Sequence, residues 1–149
     1  MRHEYAVAHM RAVVLGGGVV GEAVAWDLSR VAPVAEVTVV DRDAGRLDGL
    51  AVRLGVRTRL ADLRDGAGVA RLVADADVSI GTLPSTLALP VIRELARLGR
   101  RHVDVSFLAD DPRAHHVEAR AAGAVIVYDC GVAPGLSHML IGEAARHLA

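Results

Sequence analysis

Short runs of β-branched and other apolar residues alternate along this chain with segments that have helical periodicity. Six runs are rich in valine, isoleucine and leucine, and they predict strands at Ala12–Leu15, Val37–Asp41, Val56–Leu60, Val78–Thr82, Val103–Ser106 and Val125–Tyr128. Most of these runs are nearly continuously apolar, which is typical of parallel strands buried on both faces.

The segments between the runs have the spacing of amphipathic helices. Apolar residues recur at positions 20, 23, 24, 28 and 31, then at 47, 50, 51 and 54, and again at 91, 92, 95 and 98. Gly55, Gly99 and Gly123 follow helical segments, where a left-handed residue favourably ends a helix. Strands that alternate with helices through right-handed crossovers predict an α/β fold, a doubly wound parallel sheet of the Rossmann type.

A glycine-rich loop follows the first predicted strand. Gly16, Gly18 and Gly21 form the pattern G-x-G-x-x-G at the start of the first predicted helix, the context in which this otherwise weak motif indicates a dinucleotide site. Gly16 permits a tight turn, Gly18 lets the backbone approach a pyrophosphate, and Gly21 lets helix and strand pack closely. The free N–H groups at the helix start attract phosphates.

Asp41 ends the second predicted strand, twenty residues after Gly21, where a carboxylate can accept hydrogen bonds from an adenosine ribose. The alternative is a glycine turn followed by an unrelated surface aspartate, but the loop, its strand context and the spacing together favour a cofactor site. A carboxylate here favours NAD, because it repels the 2′-phosphate of NADP. Arg42 and Arg46 could instead pair with that phosphate, so NAD is expected and NADP is the alternative.

Further candidates follow the other strands, because ligands of this fold lie beyond the carboxyl ends of the strands. Asp62 and Leu63 could meet the adenine, although Asp62 could equally well cap a helix. Thr82, Leu83 and Pro84 lie where the nicotinamide half is expected. Their alternative interpretation is an ordinary turn into a helix with proline in its first turn.

The last loop, from Asp129 to Gly135, is dense in turn residues and leads into a final helix. A ligand wall and simple packing explain it about equally well. We interpret Cys130 within it as a small buried thiol rather than a nucleophile. His138, in the first turn of the final helix, could transfer protons, although a surface or packing role is favoured. Ser106 and Phe107 could border a substrate space.

Composition excludes several function classes. The chain has 149 residues, is 52% hydrophobic and 23% charged, and carries a formal net charge of −1, which fits neither disorder nor nucleic-acid binding through a basic field. No run approaches the ~18 apolar residues of a membrane span. A single cysteine fits a reducing compartment, and we expect a cytoplasmic protein. All basic residues are arginine, so a lysine catalyst is excluded within this chain.

The seven histidines do not predict a metal site. His115 and His116 are adjacent, so on a helix they would point about 100° apart and could not share one ion. Beside Asp110 and Asp111 they are interpreted as part of a solvated helix face. No metal is therefore expected.

Four segments carry a resemblance to a known family: VVLGGGVVGEAVAWDL, VTVVDRD, RHVDVSF and AGAVIVYDCGVAPGLSHML. They resemble the NAD(P)-binding domain of the saccharopine dehydrogenase family, which includes saccharopine reductases, lysine 6-dehydrogenases and carboxynorspermidine synthases. The similarity extends from Met10 to Ala149. The DCGVAPGLS segment is its most specific part and is most similar to the lysine 6-dehydrogenase branch.

The resemblance implies reversible hydride transfer between NAD(P) and a C–N bond of an amino acid, through an imine. It places the pyrophosphate on Gly16, Gly18, Val19, Val20 and Gly21, the ribose on Asp41 beside Arg42, and the adenine on Asp62 and Leu63. It places the nicotinamide half on Thr82, Leu83 and Pro84, and closes the site with Asp129, Gly131, Pro134 and Gly135. This chain has Ser137-His138 where Ser-Asn is usual in the family.

The resemblance also sets the expected domain organisation. Residues 1–9 are interpreted as an N-terminal extension, with Met10 as an alternative start, and residues 10–149 as the dinucleotide-binding domain. Family members continue into a substrate domain, so the amino-acid substrate contacts and the catalytic residues are expected outside this sequence, in a homo-oligomeric enzyme. The alternative is a stand-alone regulatory Rossmann module that senses NAD(H) without catalysis.

Overall fold

A single parallel sheet organises the chain in the computed structural model, which describes residues 9–31, 33–108 and 110–148. Its strands are β1 (Met10–Leu15), β2 (Val34–Asp41), β3 (Arg57–Leu60), β4 (Val78–Gly81), β5 (Arg101–Asp104) and β6 (Val125–Val127). The helices are α1 (Val19–Leu28), α2 (Ala44–Leu54), α3 (Gly66–Leu72), α4 (Ser85–Arg97), α5 (His116–Ala122) and α6 (Leu136–Leu148). Of the predicted extension, residues 1–8 lie outside the described residues.

The strand order is β3-β2-β1-β4-β5-β6, and every neighbouring pair is parallel. The chain moves outward from β1 to β3 and then returns to β4 on the other side of β1. The connections that leave the adjacent carboxyl ends of β1 and β4 therefore run in opposite directions along the sheet. Doubly wound sheets bind ligands in the crevice outside such a reversal point. The predicted fold class is therefore confirmed.

Apolar side chains cover both faces of the sheet, as continuous valine runs require. On one face Val13, Leu15 and Val40 pack with residues of α3 and α4, including Leu95. On the other face Val14 and Val39 pack with α1 and α2, where Leu50 is fully buried. Each fully buried side chain of this size stabilises the fold by roughly 1.5–3 kcal/mol.

Three glycines end helical segments in the predicted left-handed conformation. Gly55 and Gly123 follow α2 and α5 with φ of 68° and 72°, and Gly99 follows the end of α4 with φ of 67°. Only glycine adopts this conformation without a steric penalty from its side chain. These three predictions are confirmed.

Other details differ from the sequence expectations. β5 begins at Arg101 and ends at Asp104, whereas the expected strand was Val103–Ser106. The observed strand starts with the polar residues Arg101 and His102, so its start could not be recognised from an apolar run. The edge strands β3 and β6 are largely exposed rather than buried on both faces. In α1 the buried residues are Gly21 and Ala25, while Val20 is 52% exposed, so the interface is formed by small residues instead of valines.

Candidate functional site

A cleft of about 550 Å³ opens at the carboxyl ends of the central strands, beside the crevice at the reversal point. The predicted site residues that line it are Gly16, Gly18, Asp41, Arg42, Asp62, Leu63, Thr82, Leu83 and Pro84. Arg46, which the sequence analysis weighed only as a phosphate partner, also lines it, as do Ala61, Arg64, Thr86 and Leu87, which were not predicted. Residues that are distant in sequence therefore share one cavity.

The glycine loop is held tightly against the fourth strand. Gly16 has a φ of 107°, and its N–H donates to the carbonyl of Val40 at 2.8 Å. The hydroxyl of Thr82 lies within hydrogen-bonding distance of the Leu15 and Gly16 carbonyls, at 3.1 and 2.9 Å. A Cβ on Gly21 would lie 1.9 Å from the Gly16 carbonyl oxygen. Only glycine at Gly16 and Gly21 therefore permits this turn.

Gly18 differs from the other two glycines because nothing in the structure crowds it. It is the N-cap residue of α1 with a φ of −69°, and a Cβ built on it would meet no atom within 4 Å. The following residues Val19 and Val20 are 89% and 52% exposed. The first N–H groups of a helix have no intrahelical acceptor, so an open helix start borders the cleft.

Asp41 is almost buried, and its carboxylate already has internal partners. Oδ2 accepts from the Gly17 N–H at 2.7 Å and from the Arg46 guanidinium at 3.3 Å, and Oδ1 accepts from the Asp43 N–H at 3.0 Å. Burial alone would raise the pKa of Asp41, but the hydrogen bonds from Gly17 and Asp43 and the charge of Arg46 lower it below its ordinary value. The carboxylate therefore anchors the glycine loop to the end of β2.

The charges around Asp41 are unevenly paired. Arg46 contacts both Asp41 and Asp43, whereas Arg42 makes no hydrogen bond or ion pair with any described residue. Asp62 is paired with the Arg64 guanidinium, whose hydrogen bonds lower the pKa of Asp62 to about 2. Arg42 forms no such pair, but its charge also helps to lower the pKa of the Asp62 carboxyl.

Thr82, Leu83 and Pro84 connect β4 to α4 along one wall of the cleft. Pro84 is the N-cap residue of α4, with a φ of −58°, so it precedes the first turn instead of lying within it. The Leu83 carbonyl accepts a hydrogen bond from the Ser106 hydroxyl at 2.8 Å, which ties this wall to the turn after β5.

The loop from Asp129 to Gly135 does not line the cleft. It packs on the end of β5, where the Cys130 N–H donates to the Asp104 carbonyl at 3.0 Å and a Cβ on Gly131 would lie 2.8 Å from the Val105 carbonyl. Asp129 has a φ of 60°, and the Ala133–Pro134 peptide bond is cis. Cys130 is exposed, so its interpretation as a buried thiol is wrong; the tight turn directs it outward.

The histidines are dispersed. His115 ends a 3-10 turn and lies 3.8 Å from a carboxylate oxygen of Glu118, while His116 begins α5. Within the described ranges, no group of three or more histidine, cysteine or acidic residues is placed to hold a metal ion. In the same part of the chain, no helix has the length and apolar character needed to cross a membrane.

Comparison with known proteins identifies the relatives of this arrangement. Residues 12–127 match the family model described as the saccharopine dehydrogenase NADP binding domain. The chain is 27% identical over 127 residues to the NADP(+), L-glutamate-forming saccharopine dehydrogenase of Saccharomyces cerevisiae. The aligned region covers 85% of this chain and 28% of that protein. It is 28% identical over 79 residues to alpha-aminoadipic semialdehyde synthase of Arabidopsis thaliana, covering 53% of this chain and 7% of that protein.

A solved structure of apo saccharopine dehydrogenase (L-Glu forming) from Saccharomyces cerevisiae superimposes with a TM-score of 0.82 at 25% identity. The superposition covers 93% of this chain and 31% of that one. The chain therefore spans less than a third of the length of these relatives.

Proposed function

This chain belongs to the family of the saccharopine dehydrogenase NADP-binding domain, and we propose that its cleft binds a nicotinamide dinucleotide for hydride transfer to or from a C–N bond of an amino acid. The observation that carries the proposal is the open position at Gly18, where a Cβ would occupy empty space at the start of α1. Backbone can approach a pyrophosphate there, and the helix N-terminus favours its negative charge.

Different residues of the cleft are proposed to contact different parts of the cofactor. Gly16, Gly18 and the exposed start of α1 receive the pyrophosphate, and Asp41 holds the loop that presents them. Leu63 supplies an apolar side chain for the adenine, and the Thr82–Pro84 wall lies against the nicotinamide end. The reduced cofactor would donate the hydride and the oxidised cofactor would accept it, and the protein would supply the position of its nicotinamide ring.

The charges support binding of NADP(H) as well as NAD(H). The carboxylate of Asp41 repels a 2′-phosphate less when Arg46 neutralises it, and Arg42 is left to pair with that phosphate. We propose that Arg42 contributes more to NADPH binding than to NADH binding.

A fluorescence titration tests both parts of the proposal. Wild-type protein is expected to enhance nicotinamide emission of NADPH or NADH, and failure to bind either cofactor would refute the proposed function. Arg42→Ala is expected to weaken NADPH binding about fivefold, the effect of one exposed charge-assisted contact, and to leave NADH binding unchanged. Arg59→Ala serves as the control, because Arg59 is exposed, lies outside the cleft, and has a side chain that makes no hydrogen bond or ion pair with the described residues.

The reaction and its setting complete the proposal. The relatives are named for saccharopine and alpha-aminoadipic semialdehyde chemistry, so the substrate proposed here is a small amino acid such as saccharopine or lysine. The contacts to this substrate would come from polypeptide outside these 149 residues. The proposed enzyme is a homo-oligomer in the cytoplasm. Reduction of NAD(P)+ on addition of such an amino acid tests the reaction, when it is measured with a protein that also contains the substrate-binding polypeptide. Size-exclusion chromatography with light scattering tests the assembly. The relatives named are enzymes, so a purely regulatory NAD(H) sensor is not favoured.

A further inference from the structure

Four polar side chains form a buried row beneath the wall of the cleft. Ser79 of β4 and His102 and Asp104 of β5 are each 1% exposed, and Ser106, just after β5, is 6% exposed. Ser79 lies opposite His102 and Gly81 lies opposite Asp104 in the parallel ladder. This part of the sheet would ordinarily be filled by apolar residues, as its neighbours are.

Hydrogen bonds run through the row without a break. The Ser79 hydroxyl lies 2.9 Å from His102 Nδ1, and His102 Nε2 lies 3.2 Å from Asp104 Oδ2. The other oxygen of Asp104 accepts from the Ser106 N–H at 2.7 Å. The Ser106 hydroxyl then donates to the Leu83 carbonyl at 2.8 Å. One end of the row is thus in the core, and the other end is at the cleft.

The sequence makes room for this row at one position. A Cβ on Gly81 would lie 1.9 Å from Asp104 Oδ2 and 2.9 Å from His102 Nε2. A buried charged or polar pair is rarely the most stable filling of a core, since well-packed apolar residues of similar volume do as well or better. Stability alone therefore does not explain the network. Because it ends at Leu83, in the wall of the cleft, we infer that its role concerns that wall.

We propose that this buried row positions the nicotinamide end of the cleft through Asp104 and Ser106. Asp104 orients Ser106 through its backbone N–H, and Ser106 holds Leu83 through its hydroxyl, so the wall that contacts the nicotinamide is fixed from the core. Ser106 is the positioning residue nearest the ligand. The proposal rests on the proposed function, because it assigns a role within the same cofactor site.

A comparison of two ligands tests the proposal. NADPH contains the nicotinamide, and 2′-phospho-ADP-ribose lacks it while keeping the rest of the molecule. Ser106→Ala is expected to weaken NADPH binding by up to about tenfold, because the ligand must then order a wall that is no longer held in place beforehand. Binding of 2′-phospho-ADP-ribose should be unchanged. Asp104→Asn is expected to weaken NADPH binding about threefold with the same selectivity, because an amide is a poorer acceptor than a carboxylate.

Ser29→Ala is the matched control, because Ser29 is an exposed serine at the end of α1 whose hydroxyl donates only to the Trp26 carbonyl nearby. Equal losses for both ligands in Ser106→Ala would show a merely structural role, and unchanged binding of both would show no role; either result overturns the proposal. Wild-type protein that binds neither ligand would instead refute the proposed function. If Asp104→Asn fails to fold, as judged by circular dichroism, the Ser106 variant decides alone.

Discussion

Two glycines of the same G-x-G-x-x-G motif, Gly18 before helix α1 and Gly21 within it, are expected to respond in opposite ways to the same substitution. Gly18→Ala places a methyl group in the open space where the pyrophosphate is proposed to lie. Gly21→Ala places one 1.9 Å from the Gly16 carbonyl oxygen and 2.9 Å from the Thr82 hydroxyl. The first change should impair binding without harming the fold, and the second should harm the fold itself.

The magnitudes follow from these distances. At Gly18 the φ of −69° is one that alanine adopts freely. The small loss of N-cap preference and the gain from a stiffer unfolded chain nearly cancel, so the free energy of unfolding should change by less than about 0.5 kcal/mol. At Gly21 helix α1 must move away from the loop, and overpacking of this kind costs about 1–3 kcal/mol or more. A blocked pyrophosphate position should weaken dinucleotide binding at least about tenfold, or about 1.4 kcal/mol.

Urea denaturation followed by circular dichroism measures the stability of both variants, and fluorescence titration with NADPH and NADH measures binding. The reasoning predicts that Gly18→Ala is stable but binds poorly, and that Gly21→Ala is destabilised. Wild-type affinity in Gly18→Ala would show that the pyrophosphate does not lie at this position. Wild-type stability in Gly21→Ala would show that the close approach of helix and loop is not required.

Two further predictions concern buried charges. Asp41→Asn should lower the free energy of unfolding by about 2 kcal/mol at pH 7, because it removes a hydrogen-bonded carboxylate. The pKa of Asp41 is lowered in the folded protein, so the difference from wild type should shrink in urea titrations as the pH falls below the ordinary carboxyl range and the wild-type carboxylate is protonated. A gap that persists in strong acid would contradict this. Gly81→Ala should destabilise the protein by about 2 kcal/mol, because the added methyl group would clash with Asp104. The control is Gly142→Ala, which lies in open space on α6 and should be neutral or stabilising in thermal unfolding. Equal melting temperatures for the two variants would refute the clash.

The fold was predictable because its signals are local. Each strand run lies close to an observed strand, and the left-handed glycines at Gly55, Gly99 and Gly123 end helical segments as expected. Continuous valine runs need two covered faces, and glycine tolerates a positive φ that other residues avoid. These constraints act within a few residues, so the sequence alone carries them.

The site was only partly predictable because its contacts join distant positions. Asp41 was expected to face a ribose, and nothing local indicates that its oxygens hold Gly17 and Asp43. The buried pair of His102 and Asp104 was not predicted, because polar residues in a short strand look like its exposed end. The sign that could have found them is Gly81, which leaves room opposite Asp104 in the sheet.

The central claim is that the glycine loop at the carboxyl edge of the sheet holds the dinucleotide. The most direct measurement is the amide NMR spectrum of labelled protein during addition of NADPH. The amide signals of Gly16, Gly18 and Gly21 should shift and reach saturation. Those of the helix-ending glycines Gly55 and Gly123, which lie outside the cleft, should not change. Saturable binding that leaves the three loop glycines unshifted would contradict the account.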